Sequence, residues 1–439
     1  MLAVIVFILI LGLLIFVHEM GHFLVAIRNG VKAEEFGFGF PPRILGLQFL
    51  TGKEHQKNIE TESLSVEISD VKIGDKAEII QETITKVEKE IDQINPVRKW
   101  CFIWGNEDGD SAQEKKDLKE AHKKRFSGGT IYSLNWIPLG GFVRIKGENG
   151  QGKDEKDSFA SRSAWTRSKI LLAGVIMNFI LAWFLISLGF MIGAPEALDS
   201  ETNGVANSKI QISGIIPDSP SDLAGFEPGD EIVKVQTDSD GQEINLDNVK
   251  AVQNYIDANK GREMILFIKR GNEILKIKAI PRVLAPEGQG PLGITLAETA
   301  IVRYSWYRSI GKGLMTTIDL VGAISVAFAG IIKNIFTGQG VMVDIAGPVG
   351  IAVLTKQVTT MGFIYILQFA ALLSINLGII NALPFPALDG GRILFIIIEK
   401  IKGNPVSQKV EQAFHTVGFI LLIMLLVLVT FRDVSKFIK

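Results

Sequence analysis

Cysteine is almost absent from this 439-residue chain: Cys101 stands alone. A single thiol allows no disulfide framework within the chain and no cysteine-built zinc knuckle. Histidine is scarce too. Of His18, His22, His55, His122 and His415, only the first two have the close spacing of a ligand pair. Charge is nearly balanced, 46 Lys and Arg against 47 Asp and Glu, for a net charge of -1. No global surplus of positive charge is available to hold a polyanion, so nucleic acid is not an expected partner. Nothing charged precedes His18. The first apolar run therefore lacks the basic head of a signal peptide and reads as a retained span.

Apolar residues are plentiful, 47% of the total, and they are gathered in long runs. Leu2–Ile27, Ile170–Gly193 and Gly362–Ala382 approach the ~20 residues that cross a bilayer. Thr416–Phe431 is shorter but strongly apolar. Basic residues orient these runs. Arg28 and Lys32 follow the first, Arg162, Arg167 and Lys169 precede the second, and Arg392, Lys400, Lys402 and Lys409 lie between the third and fourth. The positive-inside rule puts these on the cytoplasmic side and the N-terminus outside. The tail with Arg432, Lys436 and Lys439 then falls outside, a mild conflict with the rule. Gly313–Ile332 is also apolar, but it carries Asp319 and follows Arg303, Trp306, Tyr307, Arg308 and Lys312. That pattern suits a helix lying at the outer interface.

Residues 29–168 are expected in the cytoplasm. FGFGFPPRILGLQFL (36–50) and GTIYSLNWIPLGGFVRIKG (129–147) read as strands able to pair. A polar insertion, 51–127, separates them. In it Asp75 and Glu78 make a capping-box pattern, and Ile80, Ile84, Val87, Ile91 and Ile94 recur at helical spacing. A second helix is expected from Ser111 to Phe126. Residues 205–297 read as a compact outer domain. SGIIPDSPSDLAGFEPGDEIVKV (213–235), the later strand pair and GPLGI (290–294) resemble a bacterial PDZ domain, a fold that binds an extended chain at a sheet edge. It serves equally well as a spacer that grips nothing.

HEMGH (18–22) ends the first apolar run. Ionisable groups in hydrocarbon are expensive, so two histidines and a glutamate there ask for a function. Four residues apart on a helix, His18 and His22 share a face, with Glu19 about 100° to the side. HExxH is a zinc-protease pattern in which the histidines bind the metal and the glutamate handles protons. A third ligand must come from elsewhere. Glu34 and Glu35 are near in sequence but follow basic residues outside the membrane. NALPFPALDGGR (381–392) offers Asp389, after an uncharged stretch broken by Pro384 and Pro386. Taken alone, Asp389 is equally well a ligand or a helix N-cap. Depth favours the ligand: His18 lies about 25 Å into its span at 1.5 Å per residue, and Asp389 arrives at the inner end of the third span.

HEMGH, NALPFPALDGG, IPLGG in the hairpin and the outer PDZ-like domain together resemble the site-two proteases, peptidase family M50, and most closely their bacterial RseP-type branch. The resemblance implies a membrane α-helical fold with four transmembrane helices (1–28, 169–194, 361–392 and 412–432). It adds a membrane-associated cytoplasmic β-hairpin, one outer PDZ-like α+β domain, and an interfacial helix and connector at 303–360. It implies Zn²⁺ held by His18, His22 and Asp389, Glu19 as catalytic base, and Asn381 on the substrate backbone. Asn178, in AGVIMNF, sits in a motif that matches the family and is a further candidate for the substrate site. Implied partners are the lipid bilayer and single-span membrane substrates, an anti-sigma factor among them, cut after a first cleavage trims their outer part. The implied location is the bacterial inner membrane. Two departures stand out: RseP-type proteins commonly carry two PDZ domains, and the insertion 51–127 has no obvious counterpart. The alternative is a catalytically inactive membrane scaffold that recruits proteins through the PDZ-like domain and binds no zinc.

Overall fold

The computed structural model describes residues 2–53, 96–105, 126–197, 208–237, 243–244, 248–271, 273–286, 289–338, 347–404 and 406–438. Internal contacts divide the chain into two compact units. One comprises Leu11–Gly174 and Ile396–Gln408; the other comprises Met1–Ile10, Val175–Phe395 and Lys409–Lys439.

Helix α1, Leu2–Arg28, is apolar along almost its whole length. Its end is well satisfied: the Asn29 side chain donates to the Val25 carbonyl at 2.7 Å, and Gly30 takes the left-handed φ of 70° that a helix stop favours. Three strands follow, β1 (Ala33–Lys53), β2 (Pro96–Trp104) and β3 (Phe126–Ile145), in the order β2-β1-β3. The two long strands double back. Residues 131–134 of β3 register with 45–48 of β1 and also with 35–38. Residues 141–145 of β3 then close the far side of 33–38. Among the described residues, β2 and 141–145 are the sheet's edges. A buried ion pair ties the two halves of β1 together: Arg43 grips both carboxylate oxygens of Glu35, at 2.9 and 2.8 Å.

Strand β2 corrects the expectation for 51–127. Pro96–Trp104 is not part of a helical insertion; it pairs with β1 from Leu45↔Trp104 to Lys53↔Pro96. Trp100, Phe102 and Trp104 alternate onto one face, each more than half exposed. The helix expected at 80–94 and the one expected at 111–126 lie outside the described residues, except for Phe126, which begins β3.

Helix α2 spans Ala164–Ile192 and leads directly into β4 (Ala194–Ala197). The domain that follows contains β5 (Lys209–Ile215), α3 (Pro220–Ala224), β6 (Glu231–Thr237), β7 (Glu243–Ile244), α4 (Val249–Ala258), β8 (Met264–Arg270), β9 (Glu273–Ala279) and β10 (Ile294–Val302). The sheet runs β4-β10-β5-β6-β8-β9, with β7 on β6. Its core is Ile212, Val235, Val252, Met264, Leu266 and Ile268, none of them exposed. The glycine-rich stretch likened to a peptide-binding strand ends where β10 begins, at Ile294; β10 pairs with β5 from Ile294 to Thr299 and, over Thr299–Val302, with β4 on its other side.

The chain then forms α5 (Trp306–Thr337), α6 (Pro348–Met361), α7 (Phe363–Ala382), α8 (Asp389–Lys402) and α9 (Gln408–Ile438). Five described helices are long and apolar enough to cross a membrane: Leu2–Arg28, Ala164–Ile192, Trp306–Ile335, Phe363–Ala382 and Gln408–Ser435. The third contains the segment that the sequence assigns to the interface, so length and composition admit five spans where four were expected. Its first turns lie on α2, where the Trp183 indole donates to the Ile310 carbonyl at 2.9 Å.

Candidate metal centre

On α1 the expected face forms. His18 and His22 are both buried, 6% exposed, with ring centroids 4.8 Å apart. Nδ1 of His22 lies 2.8 Å from the Ile170 carbonyl of α2. A carbonyl can only accept, so Nδ1 carries a proton, and in the neutral ring Nε2 then keeps its lone pair. Such a bond orients a ligating imidazole. Nε2 of His22 lies 3.2 Å from Nε2 of His18. Two nitrogens about 2.0–2.1 Å from one tetrahedral zinc stand about 3.3 Å apart, so the spacing fits a shared metal.

Gly174 leaves room for this pair. A Cβ there would stand 2.4 Å from His22 Nε2 and 2.7 Å from His18 Cε1. Only a residue without a side chain lets α2 pass so close. Glu19 is half-buried beside the histidines, and its Oε2 accepts from the Val143 N–H of β3 at 3.2 Å.

Asp389 opens α8, where a carboxylate suits the positive end of the helix. The turn before it is tightly built. A Cβ on Gly390 would meet the Leu383 carbonyl at 2.2 Å, and one on Gly391 the Phe385 carbonyl at 2.2 Å. Ala387 takes a left-handed φ of 70°, and its N–H donates to His415 of α9 at 2.9 Å. The two glycines and the two prolines thus shape one compact reversal that carries Asp389. His18 and His22 thus present two imidazole nitrogens on one face of α1, and Asp389 offers a carboxylate at the start of α8; two imidazoles and a carboxylate are a donor set that suits zinc with a fourth position left open.

The remaining candidates lie as follows. Asn381 is half-buried near the end of α7. Asn178 is wholly buried, and its backbone carbonyl accepts from the Ser374 hydroxyl of α7 at 2.8 Å. Three contributors escape a reading of side chains in sequence: Gly174, the Ile170 carbonyl and the Val143 N–H. Gly174 does carry a signal, since it lies four residues before Asn178 on the same helix face.

The model of Peptidase family M50 matches residues 6–59 and 119–425. The chain is 30% identical to the regulator of sigma-W protease RasP of Bacillus subtilis, over 99% of this chain and 98% of that one. It is 32% identical to the zinc metalloprotease RasP of Bacillus licheniformis, over 99% of each. With the RasP zinc metalloprotease of Shouchella clausii it shares 31% identity over 98% of each. Matches of this extent, added to the site's geometry, carry one conclusion: the chain belongs to peptidase family M50.

Proposed function

We propose that this chain is an intramembrane zinc metalloendopeptidase that hydrolyses peptide bonds in or near the transmembrane segments of other membrane proteins. His18, His22 and Asp389 hold the metal and Glu19 is the general base. The observation that carries this reading is the buried His18–His22 pair, whose Nε2 atoms stand 3.2 Å apart, the spacing of two ligands on one zinc. When bound, zinc lowers the pKa of water toward ~7 and polarises the scissile carbonyl. Glu19 takes the proton of the attacking water and delivers it to the leaving amine. Ile170 holds His22 in the ligating tautomer.

A helical substrate shows no free backbone, so it must unwind before it is cut. The bent sheet of β1 and β3 offers an edge beside Glu19 where an extended chain can satisfy its exposed groups. Asn381 is assigned to hold that chain. Asn178 is enclosed, so its part is to position its neighbours unless α2 and α7 separate. The exposed row Trp100, Phe102 and Trp104 supports a sheet seated at the lipid interface.

The topology we favour keeps four crossings, with the N-terminus outside the inner membrane, the sheet domain outside and α5 at the outer surface. Helix α6, at 14 residues, is short for a span. A crossing by α5 would then bring Asp389 to the side of the membrane opposite His22. The sheet domain acts in this reading as a PDZ-like filter that admits substrates trimmed by an earlier cut. The name of the Bacillus subtilis relative points to sigma-factor control, and a membrane-anchored anti-sigma factor is the substrate class to try first.

Metal analysis beside a cleavage assay tests the core of the proposal. Glu19→Gln should keep about one zinc per chain and lose nearly all cleavage, since acid–base groups are worth ~10²–10⁴ in rate. His22→Ala and Asp389→Ala should lose zinc and activity together. A zinc-loaded, active Asp389→Ala protein would refute the ligand assignment.

A further inference from the structure

We infer that Glu19 and an incoming substrate strand compete for one backbone donor, the N–H of Val143, so that strand pairing itself releases the carboxylate from the sheet. The inference rests on the reading of Glu19 as base and of the sheet edge as the strand acceptor.

The geometry is local and specific. Val143 stands opposite Phe36 of β1 in the register. Its N–H nevertheless donates to Glu19 Oε2 at 3.2 Å, so it points away from Phe36. In an antiparallel ladder such a residue turns both N–H and C=O outward, and so do residues two positions away. The edge at 141–145 therefore offers the N–H and C=O of Val143 and Gly141 to a chain lying alongside. An added strand would place a carbonyl about 2.7–3.2 Å from the Val143 nitrogen. The Glu19 carboxylate already fills that position.

Two glycines bring the edge to α1. A Cβ on Gly140 would stand 2.7 Å from Cβ of Ile15, and one on Gly141 would stand 3.1 Å from the Phe16 ring. Ile15 and Glu19 are four apart and share a helix face. The edge is thus held along the face of α1 that carries the base, and the carboxylate stands in for the absent strand. Pairing in this register must displace it from Val143. The base would then be set free by the event that delivers the substrate.

The test compares two inactive variants. In Glu19→Gln the side-chain amide oxygen still accepts from Val143; in Glu19→Ala nothing does. Zinc content is measured first, and both should hold about one zinc per chain. Loss of zinc from both would overturn the metal reading and the latch with it. Hydrogen exchange at the Val143 amide then reports on the contact alone. It should be several-fold faster in Glu19→Ala than in Glu19→Gln, and return to slow when a strand is bound. The bound probe is an extended peptidyl hydroxamate, with acetohydroxamic acid as the control that has no strand. Relative to that control, Glu19→Ala should bind the peptidyl compound about three- to tenfold more tightly than Glu19→Gln, the worth of one net hydrogen bond. Equal relative affinities, or equal exchange at Val143, would overturn the latch and leave the peptidase reading standing. Failure of zinc-loaded protein to bind either hydroxamate would overturn both.

Discussion

Gly174→Ala puts the metal centre to a severe test with the smallest possible change. The new methyl would stand 2.4 Å from His22 Nε2 and 2.7 Å from His18 Cε1. Ordinary contact begins near 3.4 Å, so one ring must yield by about 1 Å. His22 cannot yield cheaply, because Nδ1 is bonded to the Ile170 carbonyl at 2.8 Å. Metal ligands tolerate errors of about 0.2 Å, and a 1 Å misplacement costs about 10²-fold in rate. The helix itself gains from the change, by about 1 kcal/mol, while overpacking costs about 1–3 kcal/mol. The protein should therefore stay folded, lose zinc and lose at least about 10²-fold in cleavage. Gly189→Ala is the control on the same helix. Its Cβ would meet only Ala194 Cβ, at 3.9 Å, so zinc and activity should be unchanged. The assay is zinc content, cleavage of a single-span test protein and thermal unfolding, run on both variants. If Gly174→Ala holds zinc one to one and cleaves at the wild-type rate, the close passage of α2 over the histidines is not what shapes the site.

The Glu35–Arg43 pair should matter to the sheet more than a surface pair would. Glu35 is 3% exposed, so Arg43→Met should destabilise by about 3–5 kcal/mol, and adding Glu35→Leu should recover most of it; thermal unfolding of the single and double variants decides. The turn after β3 should show a pH window. The Lys146 hydrogen bond holds the Asp157 carboxyl below its usual value of 3.8, and hydrogen bonds to Asp157 and Glu155 push Lys146 up to about 12. A depressed carboxyl stabilises above its unfolded pKa and fails as pH falls through the folded one; a raised lysine stabilises below its unfolded pKa and fails as pH rises past about 12. Protection of the Phe159 amide, which donates to the Lys146 carbonyl, measured against its intrinsic exchange rate at each pH, should be greatest between about pH 4 and 10, and Asp157→Asn should abolish the acid limb.

The site was legible where the helix period alone decides. Four-residue spacing puts His18 and His22 on one face in any α-helix, and the loss of a charge-free environment at HEMGH marks it as functional. Asp389 carried two readings in the sequence, ligand and helix N-cap, because the partners of a distant segment depend on packing that local pattern does not encode. Strand β2 was hidden by its surroundings. Trp100, Phe102 and Trp104 do alternate, but they sit between strongly polar stretches, and their partner strand is about 50 residues away. Gly174 carried only the signal of its four-residue spacing from Asn178, because glycine is common in spanning helices; its purpose appears only once two helices are crossed. The Val143 N–H had no chance of notice, since every residue but proline has one.

The sheet domain is joined to the helices through neighbouring strands. The chain enters by β4, straight from α2, and leaves by β10 into α5, and these two strands are hydrogen-bonded to each other from Ala194↔Val302 to Ala197↔Thr299. Tyr304 then donates its N–H to the Phe190 carbonyl at 3.0 Å and its hydroxyl to Glu196 at 2.8 Å, while Lys312 reaches Glu196 at 2.6 Å. Helix α6 adds Gln357, whose side chain donates to the Pro228 carbonyl. The junction is a welded corner, not a pair of tethers. A tethered domain screens by chance encounter, and its exclusion fades gradually with the size of what approaches. A welded one screens by shape, with a sharp threshold. On the proposed reading of this domain as a filter, trimming a substrate's outer segment residue by residue should switch cleavage on over a narrow span of lengths, and lengthening the chain at Gly193 should blur that step.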